Sequence, residues 1–242
     1  MNKEFNILGL PITEGISVFS ACKNRAKNLE KSIESWINCK DVDEIIVVDW
    51  DSNHKIIYEH PKIKIARVDS EPWSLTKSFN LSARLCTKNK ICKLDADYVI
   101  DEDFFYHHPL NKKMCYSGNW ELARNDNERY LNGFLYLNRE DFMKVNGYNE
   151  RLQKYGFDDT DIKQRLLNLH IKNFDVNLDK ISHIKHSNRS RTRNYQQEES
   201  GKESIQSNKK YSLKKPWLLE ESMSRFHINK VQKNYYKCKI IK

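Results

Sequence analysis

Asp95 and Asp97 stand one residue apart in Ile91-Cys92-Lys93-Leu94-Asp95-Ala96-Asp97-Tyr98-Val99-Ile100, where an apolar run ends. In an extended chain, residues i and i+2 share a face, so the strand is expected to aim both carboxylates into one pocket. Two ionised carboxylates side by side repel each other unless a cation lies between them and a partner. A divalent ion such as Mg or Mn that also holds phosphate oxygens meets that need. The plain alternative is a solvated turn after a strand. A second acidic cluster, Asp158, Asp159 and Asp161, opens a helix carrying Ile162, Leu166 and Leu169. Acids in a first turn gain roughly 0.3–1 kcal/mol each from the helix dipole; alternatively, one is a catalytic base and another binds an acceptor hydroxyl. His183 and His186 would point to opposite faces of a strand, but at a bend they can converge, and imidazoles are common transition-metal ligands.

The elements that must position these groups read as a βαβ series. Ile16 to Ser20 is a β-branched and aromatic strand ending in Ala21-Cys22-Lys23-Asn24-Arg25. Leu29, Ile33, Trp36 and Ile37 then form one apolar helical stripe. Glu44 to Asp49 is a continuous apolar strand, as in a parallel sheet covered on both faces. Ile63 to Val68 is a third strand, and Leu75, Phe79, Ala83 and Cys86 mark a second helix. The fold class is therefore α/β with a mainly parallel sheet flanked by helices. Ligands sit at the carboxyl ends of such strands, where Lys23, Arg25, Asp49, Asp51, Asp95 and Asp97 all fall. Further on, residues 113–118 and 130–137 are expected as strands. Asn138 is expected to cap a short helix that stops at Gly147.

Charge is unevenly placed. Residues 184–242 hold 15 Lys and Arg against 5 Asp and Glu, a net of +10, which leaves −1 for the rest of a chain whose total is +9. The near-neutral body argues against nucleic-acid binding, and the basic tail suggests an anionic partner such as a membrane surface. Residues 191–242 are expected as a flexible, partly helical extension with some apolar anchoring from Trp217, Leu218, Leu219, Phe226 and Ile228. The six cysteines have no Cys-x-x-Cys spacing, which suits a reducing, cytoplasmic setting. No run of about 18 apolar residues and no leader-like N-terminus is visible.

Taken in order, these residues resemble nucleotide-sugar glycosyltransferases of the GT-A fold, of the bacterial family 2 type close to the β-1,4-galactosyltransferase-like group. The resemblance covers roughly residues 16–190, with a nucleotide half at about 16–103 and an acceptor and catalytic half at about 104–190. Asn24-Arg25 with Leu29 resembles the family's Asn-Arg-x-x-x-Leu entry. Val47-Val48-Asp49-Trp50-Asp51-Ser52 is similar to the motif around the uridine, with Asp51 where glycine is usual. Leu94-Asp95-Ala96-Asp97 looks like the Asp-x-Asp metal motif. Asn132-Gly133-Phe134 through Phe142 to Asn146-Gly147-Tyr148 resembles the acceptor-side stretch. Tyr155 to Asp161 resembles Trp-Gly-x-Glu-Asp-Asp-Asp, and His183-Ile184-Lys185-His186-Ser187 resembles Met-x-x-His-Ser.

The resemblance implies a metal (Mn or Mg) held by Asp97 and His186, joined by His183 and Asp95. It implies a UDP-sugar held by Ser20, Lys23, Arg25, Asp49, Asp51, Trp73, Lys77 and Asp95. It implies Asp159 as the base, with Asp158 beside it, in an inverting transfer of a hexose or N-acetylhexosamine to a bacterial surface glycan. The basic tail would hold such an enzyme at the inner membrane face. An inactive UDP-sugar-binding module would bind UDP without turnover. A metal-dependent nucleotidyltransferase or hydrolase would give no task to Asp158–Asp161 or to the late histidines.

Overall fold

A computed structural model describes residues 4–152, 154–186, 194–195, 200–217 and 223–241. The first half alternates as expected: β1 (Thr13–Cys22), α1 (Ala26–Asn38), β2 (Val42–Trp50), β3 (Ile63–Val68), α2 (Leu75–Leu85) and β4 (Lys88–Lys93). Then come β5 (Tyr98–Ile100), β6 (Met114–Ser117), β7 (Leu135–Asn138), α3 (Arg139–Lys144), α4 (Asp158–Asn168), β8 (Lys172–Asp175) and β9 (Ile181–His183). The chain closes with α5 (Gly201–Lys214), β10 (Arg225–Gln232) and β11 (Tyr235–Ile241).

Nine strands form one sheet in the order β10-β11-β3-β2-β1-β4-β7-β6-β8. Only β7 and β10 run against the others. β2 shows why its sequence is apolar throughout: Ile45 and Val47 pack into one core, and Ile46, Val48 and Trp50 into the core on the opposite face. α1 buries Leu29, Ile33 and Trp36 in the first core, each worth about 1.5–3 kcal/mol or more relative to exposure. The Trp36 indole donates to the Tyr98 carbonyl at 2.9 Å, tying α1 to β5. α2 covers the other face with Phe79, Leu81, Ala83 and Leu85.

Three expectations are corrected. β4 stops at Lys93, and Asp95-Ala96-Asp97 forms a turn closed by the Tyr98 N–H on the Asp95 carbonyl at 3.0 Å, so the two carboxylates do not share a strand face. Residues 130–137 are not one strand: a 3-10 helix, Glu128–Gly133, precedes β7. The carbonyls of Tyr130 and Gly133 there accept from the Tyr98 hydroxyl and the Lys93 ammonium instead of a neighbouring strand. Asn138 stands before α3, but its amide donates to the Asn111 carbonyl and its side chain does not cap the helix.

The region expected as a flexible extension completes the sheet. β11 pairs in parallel with β3, Tyr235–Cys238 against Ile65–Val68. The cause is alternation: Phe226 on β10 and Tyr236 and Cys238 on β11 point into the second core. Trp217 is also buried, its indole donating to the Asn146 carbonyl at 2.7 Å. Leu218, Leu219 and the basic run Arg189, Arg191 and Arg193 lie outside the described residues. Among the described residues no helix is long and apolar enough to cross a membrane.

Candidate active site

The strand ends converge on a cavity of about 520 Å³. Its floor begins where β1 runs out. Asn24 takes the left-handed conformation at φ 57°, which asparagine tolerates better than most residues. This reverses the chain so that Lys23 and Arg25 both reach the cavity. Asn24 also receives the Asn53 N–H on its side chain at 2.8 Å, and its own N–H donates to the Ser52 hydroxyl at 2.9 Å.

Asp97, His183 and His186 form the first functional cluster. β5 and β9 pair with Tyr98 opposite His183, the Ile184 N–H that follows β9 donates to the Asp97 carbonyl at 2.8 Å, and both imidazoles meet at Asp97. His186 Nε2 is 2.7 Å from Asp97 Oδ2, His183 Nε2 is 3.6 Å from the same oxygen, and the two Nε2 atoms are 3.2 Å apart. Adjacent ligands of an ion bound at about 2.1 Å stand roughly 3 Å apart, so the three atoms fit a single cation. Two imidazoles with one carboxylate favour a transition ion such as Mn over Mg. Burial works to raise the Asp97 carboxyl, but the neighbouring His183 and His186 imidazoles and the charge of Arg25 outweigh it and hold it well below the usual range. Arg25 Nη1 donates to Asp97 Oδ2 at 2.6 Å. Asp95 is not in this cluster. The turn sends it to Lys93, 2.8 Å away.

Lys93 is the second centre, and nothing in its sequence context marked it out. It is 1% exposed. Its ammonium donates to the Gly133 carbonyl at 2.6 Å, pairs with Asp95, lies 3.5 Å from Asp159 and sits 4.4 Å over the Phe79 ring. Burial alone would push the ammonium down; the Asp159 and Asp95 carboxylates hold it well above its ordinary value. Gly133 leaves room for this pair, since a Cβ would come within 2.8 Å of Lys93 Nζ and 2.9 Å of Asp95 Oδ2 and would displace one of them.

The acidic helix start divides its labour. Asp161 is buried and bonded to Arg165 at 2.6 and 2.9 Å, with Ser212 on its other oxygen, which is a structural role. Asp158 is buried too, and burial together with the neighbouring Asp159 charge pushes its carboxyl up to about 8. Asp159 faces the cavity, its side chain 23% exposed, beside Lys93. The loop before α4 is held by α5, another contribution the sequence reading missed. Ser204 donates to the Tyr155 carbonyl, and Asn208 donates to the Lys154 and Gly156 carbonyls, at 2.7 to 3.0 Å. Gly156 has φ +83°, and a Cβ there would strike Ile205 at 2.6 Å. The capping box of Ser200 and Glu203 that starts α5 was the available signal.

Trp73 lines the cavity, with Tyr195 at its edge at 6.3 Å. Four other expected donor contacts do not line it. Asp49 is fully buried and holds its own loop, accepting from the N–H groups of Ser52 and Ile56 and from Arg67 at 2.5 Å. Asp51, at φ 55°, pairs with Lys23 at 3.6 Å and with Arg67 at 3.8 Å. Ser20 is buried, and neither it nor Lys77 is among the residues that line the cavity.

Two family models match the chain. Glycosyl transferase family 2 matches residues 17–108, which carry Lys23, Arg25, Trp73 and the Asp95–Asp97 turn. The model described as "N-terminal domain of galactosyltransferase" matches residues 116–187, which carry Asp159 and both histidines. The chain is a GT-A-fold glycosyltransferase. Among solved structures, this glycosyltransferase is similar to the catalytic domain of Drosophila beta1,4galactosyltransferase 7 complexed with xylobiose, at 15% identity and a TM-score of 0.60, over 95% of this chain and 94% of that one. GalNAc-T7 with UDP, GalNAc and Mn2+ matches at 16% identity and 0.58, over 72% of this chain and 44% of that one. A mannosyltransferase from Pyrobaculum calidifontis with GDP-Man and Mn2+ matches at 14% and 0.53, over 67% and 55%. At these identities the likeness is one of fold. No curated protein matches the chain by sequence.

Proposed function

We propose that the enzyme uses Mn or Mg to transfer a hexose or N-acetylhexosamine from a UDP-sugar to a hydroxyl of a surface-glycan acceptor, with inversion at the anomeric carbon. One observation carries this reading. A single cavity joins the Asp97–His183–His186 cluster to Asp159 at the start of α4. Asp97, His183 and His186 would hold the ion, whose chemistry is to offset negative charge on the departing diphosphate as a Lewis acid. Lys23 and Arg25 add positive charge on the same side of the cavity. Trp73 offers its ring to the nucleoside. Asp159 takes the proton from the acceptor hydroxyl as it attacks, and Lys93 holds that carboxylate in place. One displacement inverts the anomeric centre, and a single base suffices because UDP leaves without protonation.

The contents of the neighbours' complexes support the donor and metal. The Drosophila enzyme is described with manganese, UDP-Gal and xylobiose, and GalNAc-T7 with UDP, GalNAc and Mn2+. The Pyrobaculum enzyme carries GDP-Man on the same fold, so the fold does not choose the base, and uridine is part of the proposal. The six described cysteines are buried free thiols, which suits a cytoplasmic setting. Between Arg225 and Ile241 there is no acid, and Arg225, Lys237 and Lys239 are exposed on the β10–β11 hairpin. That face suits an anionic inner leaflet.

Asp159→Asn tests the assignment. The expected outcome is a loss of about 10²–10⁴ in turnover, with UDP–Mn binding retained. Equal loss of UDP–Mn affinity would remove Asp159 from the role of base.

A further inference from the structure

We propose that Asn127 is a positioning residue that fixes the tautomer of His183 and aims its Nε2 lone pair at the meeting point of Asp97 and His186. The proposal rests on the metal-centre reading above. Asn127 and His183 make a reciprocal clasp. The Asn127 amide nitrogen donates to the main-chain carbonyl of His183 at 2.8 Å, and Asn127 Oδ1 lies 2.8 Å from His183 Nδ1.

The proton positions follow from donor and acceptor chemistry. A main-chain carbonyl only accepts, so the Asn127 NH₂ must face it. The amide oxygen is then left facing Nδ1. An amide oxygen also only accepts, so Nδ1 carries the hydrogen. A neutral imidazole has one N–H, which leaves Nε2 bare, 3.2 Å from His186 Nε2 and 3.6 Å from Asp97 Oδ2. The opposite tautomer would put a hydrogen where a cation must go. Ligating histidines commonly use their second nitrogen in this way.

Asn127 is itself held. The Asn125 side chain accepts its N–H at 3.0 Å and that of Glu128 at 3.1 Å. Arg124 pairs with Glu128 on one side and Asp179 on the other. The His183 ring is also packed, with Tyr130 tilted at 5.2 Å and Tyr98 edge-on at 6.2 Å. The clasp thus joins a metal ligand to the 3-10 helix that carries Arg129, Tyr130 and Asn132 into the cavity. No motif match singles out Asn127.

The test uses the full chain. Mn2+ affinity is measured by electron paramagnetic resonance of free Mn2+ for wild type, Asn127→Leu and Asn127→Asp, with thermal midpoints of the metal-free proteins alongside. The His183 tautomer is read in metal-free wild type by long-range nitrogen–proton NMR, at a pH where the imidazole is neutral. The Nδ1–H tautomer is expected in wild type. Asn127→Leu should bind Mn2+ about 10–100-fold more weakly. Asn127→Asp, which still accepts from Nδ1–H, should restore the affinity; a merely structural contact would not sort the two variants this way. An Nε2–H tautomer in wild type, or wild-type Mn2+ affinity in Asn127→Leu, would overturn the proposal. If wild type itself binds no Mn2+, the metal-centre reading fails, while the metal-free tautomer still decides whether Asn127 sets the ring.

Discussion

Replacing Lys93 with methionine isolates the charge beneath the candidate base. Methionine keeps most of the length and the apolar stem but removes the ammonium, with its contact over the Phe79 ring. Two costs follow from the contacts. The Gly133 carbonyl loses its donor, which for a buried acceptor costs about 1–3 kcal/mol. Asp95 and Asp159 lose their shared cation. Removing one partner of a buried ion pair typically costs about 3–5 kcal/mol, but these side chains are 33% and 23% exposed, so water screens them and the lower end applies. The two costs overlap because one ammonium serves both, and a net loss of about 3 kcal/mol is expected. Against a domain stability of about 5–15 kcal/mol, the variant folds but is weakened. Urea unfolding should show a lower midpoint at unchanged slope, and turnover should fall because Asp159 loses the group that places it. Unchanged stability, within about 0.5 kcal/mol, together with unchanged turnover would refute the role given to Lys93.

Other outcomes follow from the same geometry. Asp158 has its carboxyl raised by burial and by Asp159, so the folded state keeps a proton that the unfolded chain releases. Its contribution is complete below the ordinary carboxylate pKa and is lost as pH rises through about 8. Asp158→Asn should therefore gain on wild type as pH climbs across that window; parallel stability curves would contradict it. Reversing the charge at Arg225, Lys237 and Lys239 together should weaken co-sedimentation with anionic vesicles, and unchanged binding would discard the membrane face. Charge reversal is preferable to truncation, because deleting β11 would strip a strand from the sheet.

Much of the frame was legible because periodicity reports burial directly. The stripe of Leu29, Ile33 and Trp36 and the apolar run of β2 gave α1 and the covered parallel sheet. The late strands were harder to read. Tyr236 and Cys238 alternate as a strand should, but they are embedded in lysines, and the net charge of the region drew attention away from the pattern. At the site, Asp97, His183, His186 and Asp159 were nameable because their residue types carry chemistry wherever they stand. The turn at Asp95 was not, since it depends on one hydrogen bond from Tyr98 that no spacing reveals. Lys93 escaped for a similar reason: a lysine in a strand reads as solvent-facing until its three acceptors are seen in place. Asp49 shows the converse, an acid at a strand end whose oxygens are already committed to Arg67 and to its own loop.

The most direct test of the central claim is calorimetric titration of UDP, first with Mn2+ and then with EDTA. Binding that requires the ion, and that Asp97→Asn or His186→Ala abolishes, is the predicted result. UDP binding that is equally strong in EDTA would contradict the metal assignment, and no UDP binding in either condition would contradict the donor.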